Sequence, residues 1–377
     1  MKKALIYLLC FVFLTCLVFI GIGCKQEETA AAETTAAETT AAETTAAGTT
    51  AAEFDAVSAA IENFKSGGAQ FESNPGGKYK IGISMCLFDQ PYWIGMYAGF
   101  LQGGMDFDAN IVMQNANLDI TRQMANFQDY ITQKKDGLII VPTDTDATSA
   151  VIKIANDAGV PVVEANRVTS SGEYTAIMYD NYECGALSAQ AMKDAADKLG
   201  FKEINALELV GDLKIAIGAE RHDGFNDKAK EFENFKVVGQ MPTEWLSENV
   251  YPAAMDGFSA HPEANAVYLS SDLMTQPLLS ALDALGKLIP AGQEGHIIVV
   301  TIDGQPIACK NIREGFVDAS MNNECFEIGY KSVENIVKMI KGEKIDPKIT
   351  LLPLMAITKD NVDDPKLWGN ALAGVVQ

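Results

Sequence analysis

Phe88-Asp89-Gln90-Pro91-Tyr92-Trp93 stands just after the apolar strand pattern Lys80-Ile81-Gly82-Ile83-Ser84-Met85 and directly before a helical pattern. Two aromatic rings and two polar side chains therefore fall at the carboxyl end of a first strand, where open α/β sheets bind their ligands. Aromatic faces cover apolar C–H surface and planar polar groups bind hydroxyls at its edge, so this group suits a compact ring rich in hydroxyls. Arg167 and Arg221 each carry a fork able to span two neighbouring hydroxyls, or alternatively to close an ion pair between lobes. Asp303 ends an apolar strand pattern and is followed by Gly304; a charge there is costly without a partner, which makes it a candidate hydroxyl acceptor. Tryptophan is also a common core filler, so ordinary packing competes with ligand stacking for Trp93 and Trp245. Glu164, two residues before Asn166 on one strand face, reads either as a further carboxylate for the site or as a solvated one.

These residues need a scaffold of alternating elements. Strands are predicted over Lys80 to Met85, Ala109 to Met113, Gly137 to Val141, Val160 to Glu164 and Thr175 to Met178. They continue over Asn205 to Val210, Lys236 to Gly239, Ala266 to Ser270, Ile297 to Ile302 and Val317 to Met321. Helical patterns fill the gaps, for example Thr121 to Thr132, Glu183 to Leu199, Gly218 to Phe232 and Ile328 to Ile340. Such alternation predicts parallel sheets covered on both faces. About 300 residues follow Lys78, more than one core usually serves, so two lobes are expected. Gly95, Gly99 and Gly103 fall four apart on the first helix and predict close helix-to-sheet packing rather than a membrane dimer motif.

Composition excludes several chemistries. The net charge is −21, with no basic tract, which argues against nucleic acid. The three histidines, His222, His261 and His296, have no metal-ligand spacing, and no glycine-rich phosphate loop follows a predicted strand, so neither metal nor cofactor is expected. Cys86, Cys184, Cys309 and Cys325 are too widely spaced for a zinc knuckle or redox pair and read as buried thiols, with a Cys309 to Cys325 bridge left open.

The front of the chain reads as an export signal over 1–24: a basic Met1-Lys2-Lys3, an apolar stretch from Leu5 to Ile22, then Gly23-Cys24. An uncleaved membrane anchor is the alternative, and both readings place the rest outside the cytoplasm. Ile22-Gly23-Cys24 resembles the cleavage box of lipoproteins, which implies a lipid-carrying Cys24 as mature amino terminus and attachment to a membrane. Residues 25–53 are mostly Thr/Ala/Glu units without a large apolar side chain, a solvated tether reaching roughly 30 Å root-mean-square. Residues 54–78 form a short helical lead-in, with Phe54, Val57, Ile61 and Phe64 at helical spacing.

Beyond the first aromatic motif, the landmarks Pro142-Thr143-Asp144-Thr145-Asp146, Ala165-Asn166-Arg167, Tyr179-Asp180-Asn181 and Glu220-Arg221-His222-Asp223-Gly224-Phe225 follow in order. Ala260-His261-Pro262, Ser270-Ser271-Asp272 and Ile302-Asp303-Gly304 complete the series. In order and spacing the chain resembles the ribose-binding branch of the periplasmic sugar-binding proteins, the solute receptors of ABC importers, from about Tyr79 to Met355. The resemblance implies an α/β fold of two doubly wound parallel-sheet lobes joined by three crossing strands, the type I periplasmic binding protein architecture. Crossings are implied near Ile177 to Asn181, Met321 to Asn323 and Leu352 to Pro353. One lobe would be 79–179 plus 323–352 and the other 180–322 plus 353–377, with Trp368 in the tail beyond the motif region.

The resemblance also implies a ligand set: Asp89, Gln90, Tyr92, Trp93, Asn166, Arg167, Asn181, Arg221, Trp245, Ser271, Asp303 and Asn323. Tyr92 and Trp93 match the family's paired aromatics and Trp245 its opposing plate, while Gln90 and Asn323 keep polar character at matching positions. Asn181 matches too, but at a crossing, where backbone bonding is an equal role. Departures are Asn166 for the family's aspartate before the arginine, Ser271 for an asparagine, and Val141 for a polar residue, so ribose is not implied as the ligand. The implied function is an extracytoplasmic solute-binding lipoprotein, not an enzyme, that closes on a sugar or sugar-like polyol and delivers it to an ABC transporter permease. A sensory receptor signalling through a membrane partner is the alternative. A secreted carbohydrate-processing enzyme would need paired catalytic carboxylates at a characteristic separation. A DNA-binding repressor of the same fold is dismissed by the exported start and the missing helix-turn-helix.

Overall fold

The computed structural model describes residues 70–172 and 174–374 together with Ala59, Glu62 and Asn63. The export signal with Cys24, the tether over 25–53 and most of the helix expected over 54–64 lie outside the described residues.

Two sheets carry the fold. The first contains β1 (Gln70–Ser73), β2 (Tyr79–Met85), β3 (Ala109–Asn115), β4 (Gly137–Ile140), β5 (Val162–Ala165), β6 (Thr175–Met178) and β12 (Ile349–Leu351), in the order β1-β3-β2-β4-β5-β6-β12. The second contains β7 (Ile204–Val210), β8 (Phe235–Pro242), β9 (Ala266–Leu269), β10 (Ile298–Asp303), β11 (Ala319–Asn322) and β13 (Met355–Thr358), in the order β13-β11-β10-β9-β7-β8. All ten predicted strands form. Pairing is parallel except at two edges, where β1 runs antiparallel to β3 and β13 antiparallel to β11, so each sheet is mixed rather than wholly parallel. β1, β12 and β13 were not legible because these short edge strands expose alternate residues and carry few large apolar side chains. Gln70–Ser73, placed by sequence in a helical lead-in, is such an edge strand, held by its ladder to β3.

The helices are α1 (Pro91–Asp106), α2 (Ile120–Thr132), α3 (Thr148–Asp157), α4 (Asn181–Leu199), α5 (Ala216–Ala229), α6 (Ser247–Ala260), α7 (Thr275–Ala284), α8 (Pro306–Glu314), α9 (Cys325–Ile340) and α10 (Trp368–Ala371). They cover both faces of both sheets, as near-continuous apolar strands require. Ile81, Ile83 and Met85 of β2 face a core shared with α1 and α9, whereas Val112, Leu138, Ile140 and Val162 face one shared with α2 and α3. In the second sheet Leu207, Leu209, Val267 and Val299 face α6 and α7, and Ala206, Tyr268, Val300 and Ile302 face α4 and α5. The chain passes between the sheets three times: after β6, after β11, and between β12 and β13.

The glycine spacing on α1 serves a helix, not the sheet. A Cβ at Gly99 would fall on the Phe326 carbonyl of α9, and one at Gly95 or Gly103 would meet Cys325 or Val333 of the same helix; Gly329 of α9 sits reciprocally on the Met96 carbonyl. The sheet contact falls to Gly104, against Ile111. The second lobe repeats the device, with Gly185 of α4 on the Arg221 carbonyl and Gly224 of α5 on the Tyr182 carbonyl. Two helices in one layer approach this closely only where no side chain stands between their backbones.

Gly99→Val should therefore lower stability by about 1 to 3 kcal/mol or more through overpacking. Gly76→Ala, where a new Cβ meets nothing within 4 Å, should leave the thermal midpoint unchanged. Equal midpoints for the two variants would contradict the helix-pair packing.

Candidate functional site

In the second lobe α5 presents Arg221 to the carboxyl end of β10. Its Nε donates to Asn181 Oδ1 at 3.1 Å, its Nη1 donates to the Ser270 carbonyl at 2.7 Å, and Nη1 lies 3.5 Å from Asp303 Oδ1. Both Arg221 and Asp303 are 5% exposed, so each must be compensated by the other and by hydrogen bonds. Ser271 Oγ donates to Asp303 Oδ2 at 2.6 Å. Burial pushes the Asp303 carboxyl up, while Arg221 and Ser271 pull it back; burial works to lower the Arg221 guanidinium but Asp303 raises it. Behind the pair, Asp272 accepts from the Gln305 N–H at 2.7 Å and from Ser320 Oγ at 3.1 Å. Burial, then the Asp303 charge, pushes the Asp272 carboxyl well above its usual range.

The first lobe contributes Tyr92 and Trp93 from the first turn of α1. Tyr92 Oη lies 2.8 Å from the side-chain oxygens of both Asn166 and Asn323. A phenol has one proton, so it donates to one carboxamide and accepts from the other, whose NH2 turns toward it. The Asn323 N–H in turn donates to the Asp303 carbonyl at 3.3 Å, which links this group to the other half of the site. Burial, then the fields of Cys325 and Asp303, raises the Tyr92 phenol well above its ordinary value, so it acts only as a neutral hydroxyl. The Arg167 guanidinium lies over the Trp93 ring, 5.5 Å from its centroid, and Trp93 packs edge-on against Tyr92 at 5.1 Å.

Backbone strain concentrates here. Asn166 (φ 73°), Trp245 (φ 57°) and Asp303 (φ 118°) are non-glycine residues at positive φ, the conformation that proteins tolerate where geometry at a site demands it. Trp245 lies over Gly211, where a Cβ would collide with the indole, and its Nε1 donates to Ser270 Oγ at 2.9 Å.

The structure thus gathers Tyr92, Asn166 and Asn323 into one hydrogen-bonded group and Asn181, Arg221, Ser271 and Asp303 into another. Arg221 closes its ion pair within one lobe rather than across the two. Asn181 fills both roles open to it, accepting from Arg221 and donating weakly to the Tyr179 carbonyl at 3.4 Å. Asp89 is exposed, and Gln90 is the N-cap residue of α1 without a side-chain capping bond. Glu164 is not solvated: it is fully buried beneath the loop that carries Arg167, where Oε2 accepts from the Thr169 N–H at 3.0 Å. All four cysteines among the described residues are buried free thiols, Cys309 and Cys325 included.

Sequence reasoning missed Ser270, Asp272, Gln305, Gly211 and Trp368. Asp272 and Ser270 stood inside a recognised landmark, but their partners arrive from β11 and from the loop after β8. Trp368 is not remote: its Nε1 donates to the Asp303 carbonyl at 2.8 Å and its ring centroid lies 6.3 Å from that of Tyr92. It falls outside the stretch that carries the family landmarks, so no motif pointed to it.

Two α/β lobes with polar and aromatic side chains gathered at the carboxyl ends of their strands define a solute receptor of the two-lobed class. Residues 81–344 match the model of the periplasmic binding protein domain, and the chain belongs to that family, in its ribose-binding-protein-like branch. The ribose import binding protein RbsB of Escherichia coli (strain K12) is 27% identical over 281 residues, 74% of this chain and 91% of that protein. An ABC transporter periplasmic solute binding protein from Actinobacillus succinogenes 130z with bound D-allose has a TM-score of 0.70 at 20% identity, covering 76% of this chain and 100% of that one. An ABC transporter solute binding protein from Bacillus halodurans C-125 with bound myo-inositol has a TM-score of 0.68 at 24% identity, covering 78% and 100%. The family's general role is to hold a solute outside the cytoplasm rather than to transform it. No helix among the described residues is long and apolar enough to cross a membrane.

Several groups hold a proton more tightly in the folded chain than in the unfolded one. Burial raises Glu164 and Glu324 to about 7, burial and the Asp303 charge raise Asp272 well above its usual range, and the Glu208 hydrogen bond raises His222. Each contributes stability that is full below its ordinary value, about 4 for carboxyls and 6.5 for histidine, and that is lost as pH rises through the folded value. The thermal midpoint should therefore fall from pH 5 to pH 8, and Glu164→Gln should flatten that slope. A midpoint that rises over this range would contradict the assignment.

Proposed function

We propose that this chain is an extracytoplasmic solute-binding lipoprotein that captures a sugar or sugar-like polyol between its lobes and delivers it to an ABC importer. The buried constellation of Tyr92, Asn166, Asn323, Arg221 and Asp303 at the carboxyl ends of both sheets carries this reading. It offers planar hydrogen-bonding groups beside aromatic rings, which is the chemistry of a polyhydroxylated ring. Relatives named for ribose import, and solved neighbours holding D-allose and myo-inositol, support the ligand class. We assign the lobes as 79–179 plus 323–352 and 180–322 plus 353–377, extended by the edge strand β1 on the first. The three passages between sheets form the hinge, and closure turns ligand contact into a shape that a permease can read. Asp89, Gln90, Trp93 and Trp245 complete the walls in this reading, and Cys24 carries the lipid that holds the domain at the membrane.

In a thermal-shift screen of the full chain against pentoses, hexoses, inositols and sugar acids, a ligand at about 100 times its Kd should add roughly 2.7 kcal/mol of stability. Asp303→Ala should abolish that shift, because it also leaves Arg221 buried without a counter-charge. A full shift in the variant would move the site elsewhere. Separately, Cys24→Ser should stop metabolic labelling with fatty acid, and labelling that persists would refute the anchor.

A further inference from the structure

We infer that the ligand carries a carboxylate: the site takes a cyclic sugar acid, a uronate, in preference to the neutral sugar of the same ring shape. This rests on the sugar-binding reading above and narrows it. On the second lobe Arg221 is matched by Asp303, and Asp272 is engaged by the Gln305 N–H and Ser320. On the first lobe Arg167 has no such match. Its Nε is buried without a hydrogen-bond partner, and no carboxylate among the described residues lies within ion-pair distance of its guanidinium. Its one specific contact is the face of Trp93.

The neighbouring acids are unsuitable as internal partners. Glu164 is buried under the loop, its Oε2 on the Thr169 N–H and its Oε1 without a partner, and it forms no ion pair with Arg167. Asp89, whose field reaches Cys86 together with that of Arg167, is exposed to solvent and forms no ion pair with Arg167. The residue directly before Arg167 is the neutral Asn166, turned to the Tyr92 hydroxyl. One guanidinium of the first lobe is thus left without a carboxylate partner among the described residues. Closure around a ligand removes water from that charge, and a neutral hydroxyl compensates it less well than an anion does. A guanidinium over an aromatic face keeps its N–H fork free in its own plane, the geometry that takes a carboxylate bidentately.

Isothermal titration of the full chain against matched pairs tests this: D-galactose and D-galacturonate, D-glucose and D-glucuronate, D-mannose and D-mannuronate. In the pair that binds, the acid should be at least tenfold tighter, and Arg167→Gln should erase the difference. Asn166→Asp, a residue that also tolerates positive φ, sets a carboxylate beside Arg167 and should shift the preference to the neutral sugar. Neutral sugars that bind as tightly as their acids would overturn the charge assignment and leave the sugar-binding reading intact. Failure of both members of every pair would overturn the two together.

Discussion

A guanidinium and a carboxylate buried together at the end of the second sheet set the terms for what surrounds them. Neither Arg221 nor Asp303 is tolerable alone in that position, because an uncompensated buried charge costs several kcal/mol. The surrounding fold supplies the compensation from two elements, Asn181 at the start of α4 and the Ser270 carbonyl and Ser271 hydroxyl after β9, while the glycine-mediated closure of α4 on α5 brings Arg221 within reach. Asp303 itself is held at φ 118°, and its carbonyl is clamped by Trp368 from the far end of the chain.

From that pair the architecture propagates to the other lobe. Asn323, just past β11, bonds with its backbone to Asp303 and with its side chain to Tyr92, so one residue at a passage between sheets touches both halves. The next residue, Glu324, donates its N–H to the Tyr179 hydroxyl at 2.7 Å, tying the second passage to the first. The binding groups and the connections between lobes are thus physically continuous.

The two halves differ in how complete they are without ligand. The second is satisfied internally, its charges matched and its serines engaged. The first holds an arginine that lies over an aromatic face with no ion-pair partner among the described residues, next to an asparagine already bonded to a tyrosine. An acid at position 166 would have balanced it, and the substitution is visible in the sequence as Asn166. What that substitution leaves unpaired became visible only with the side chains in place.

The sequence by itself determined the class of fold, because apolar runs of four to seven residues alternating with amphipathic helices have one economical arrangement, sheets covered on both faces. It also determined which residue types stand at strand ends, since Tyr92, Trp93, Arg167 and Asp303 each follow a legible strand. Tertiary structure alone decided the partners. Edge strands β1, β12 and β13 are defined by ladders to distant segments, not by a pattern of their own. Gly95, Gly99 and Gly103 announced a close approach but not to what, and the answer was α9, more than 200 residues away. Trp368 carries no motif, and its place between Asp303 and Tyr92 follows only from the last helix packing back on the site. Local periodicity encodes which face of an element is buried; the residue that meets it there is set by long-range packing, which a single sequence does not display.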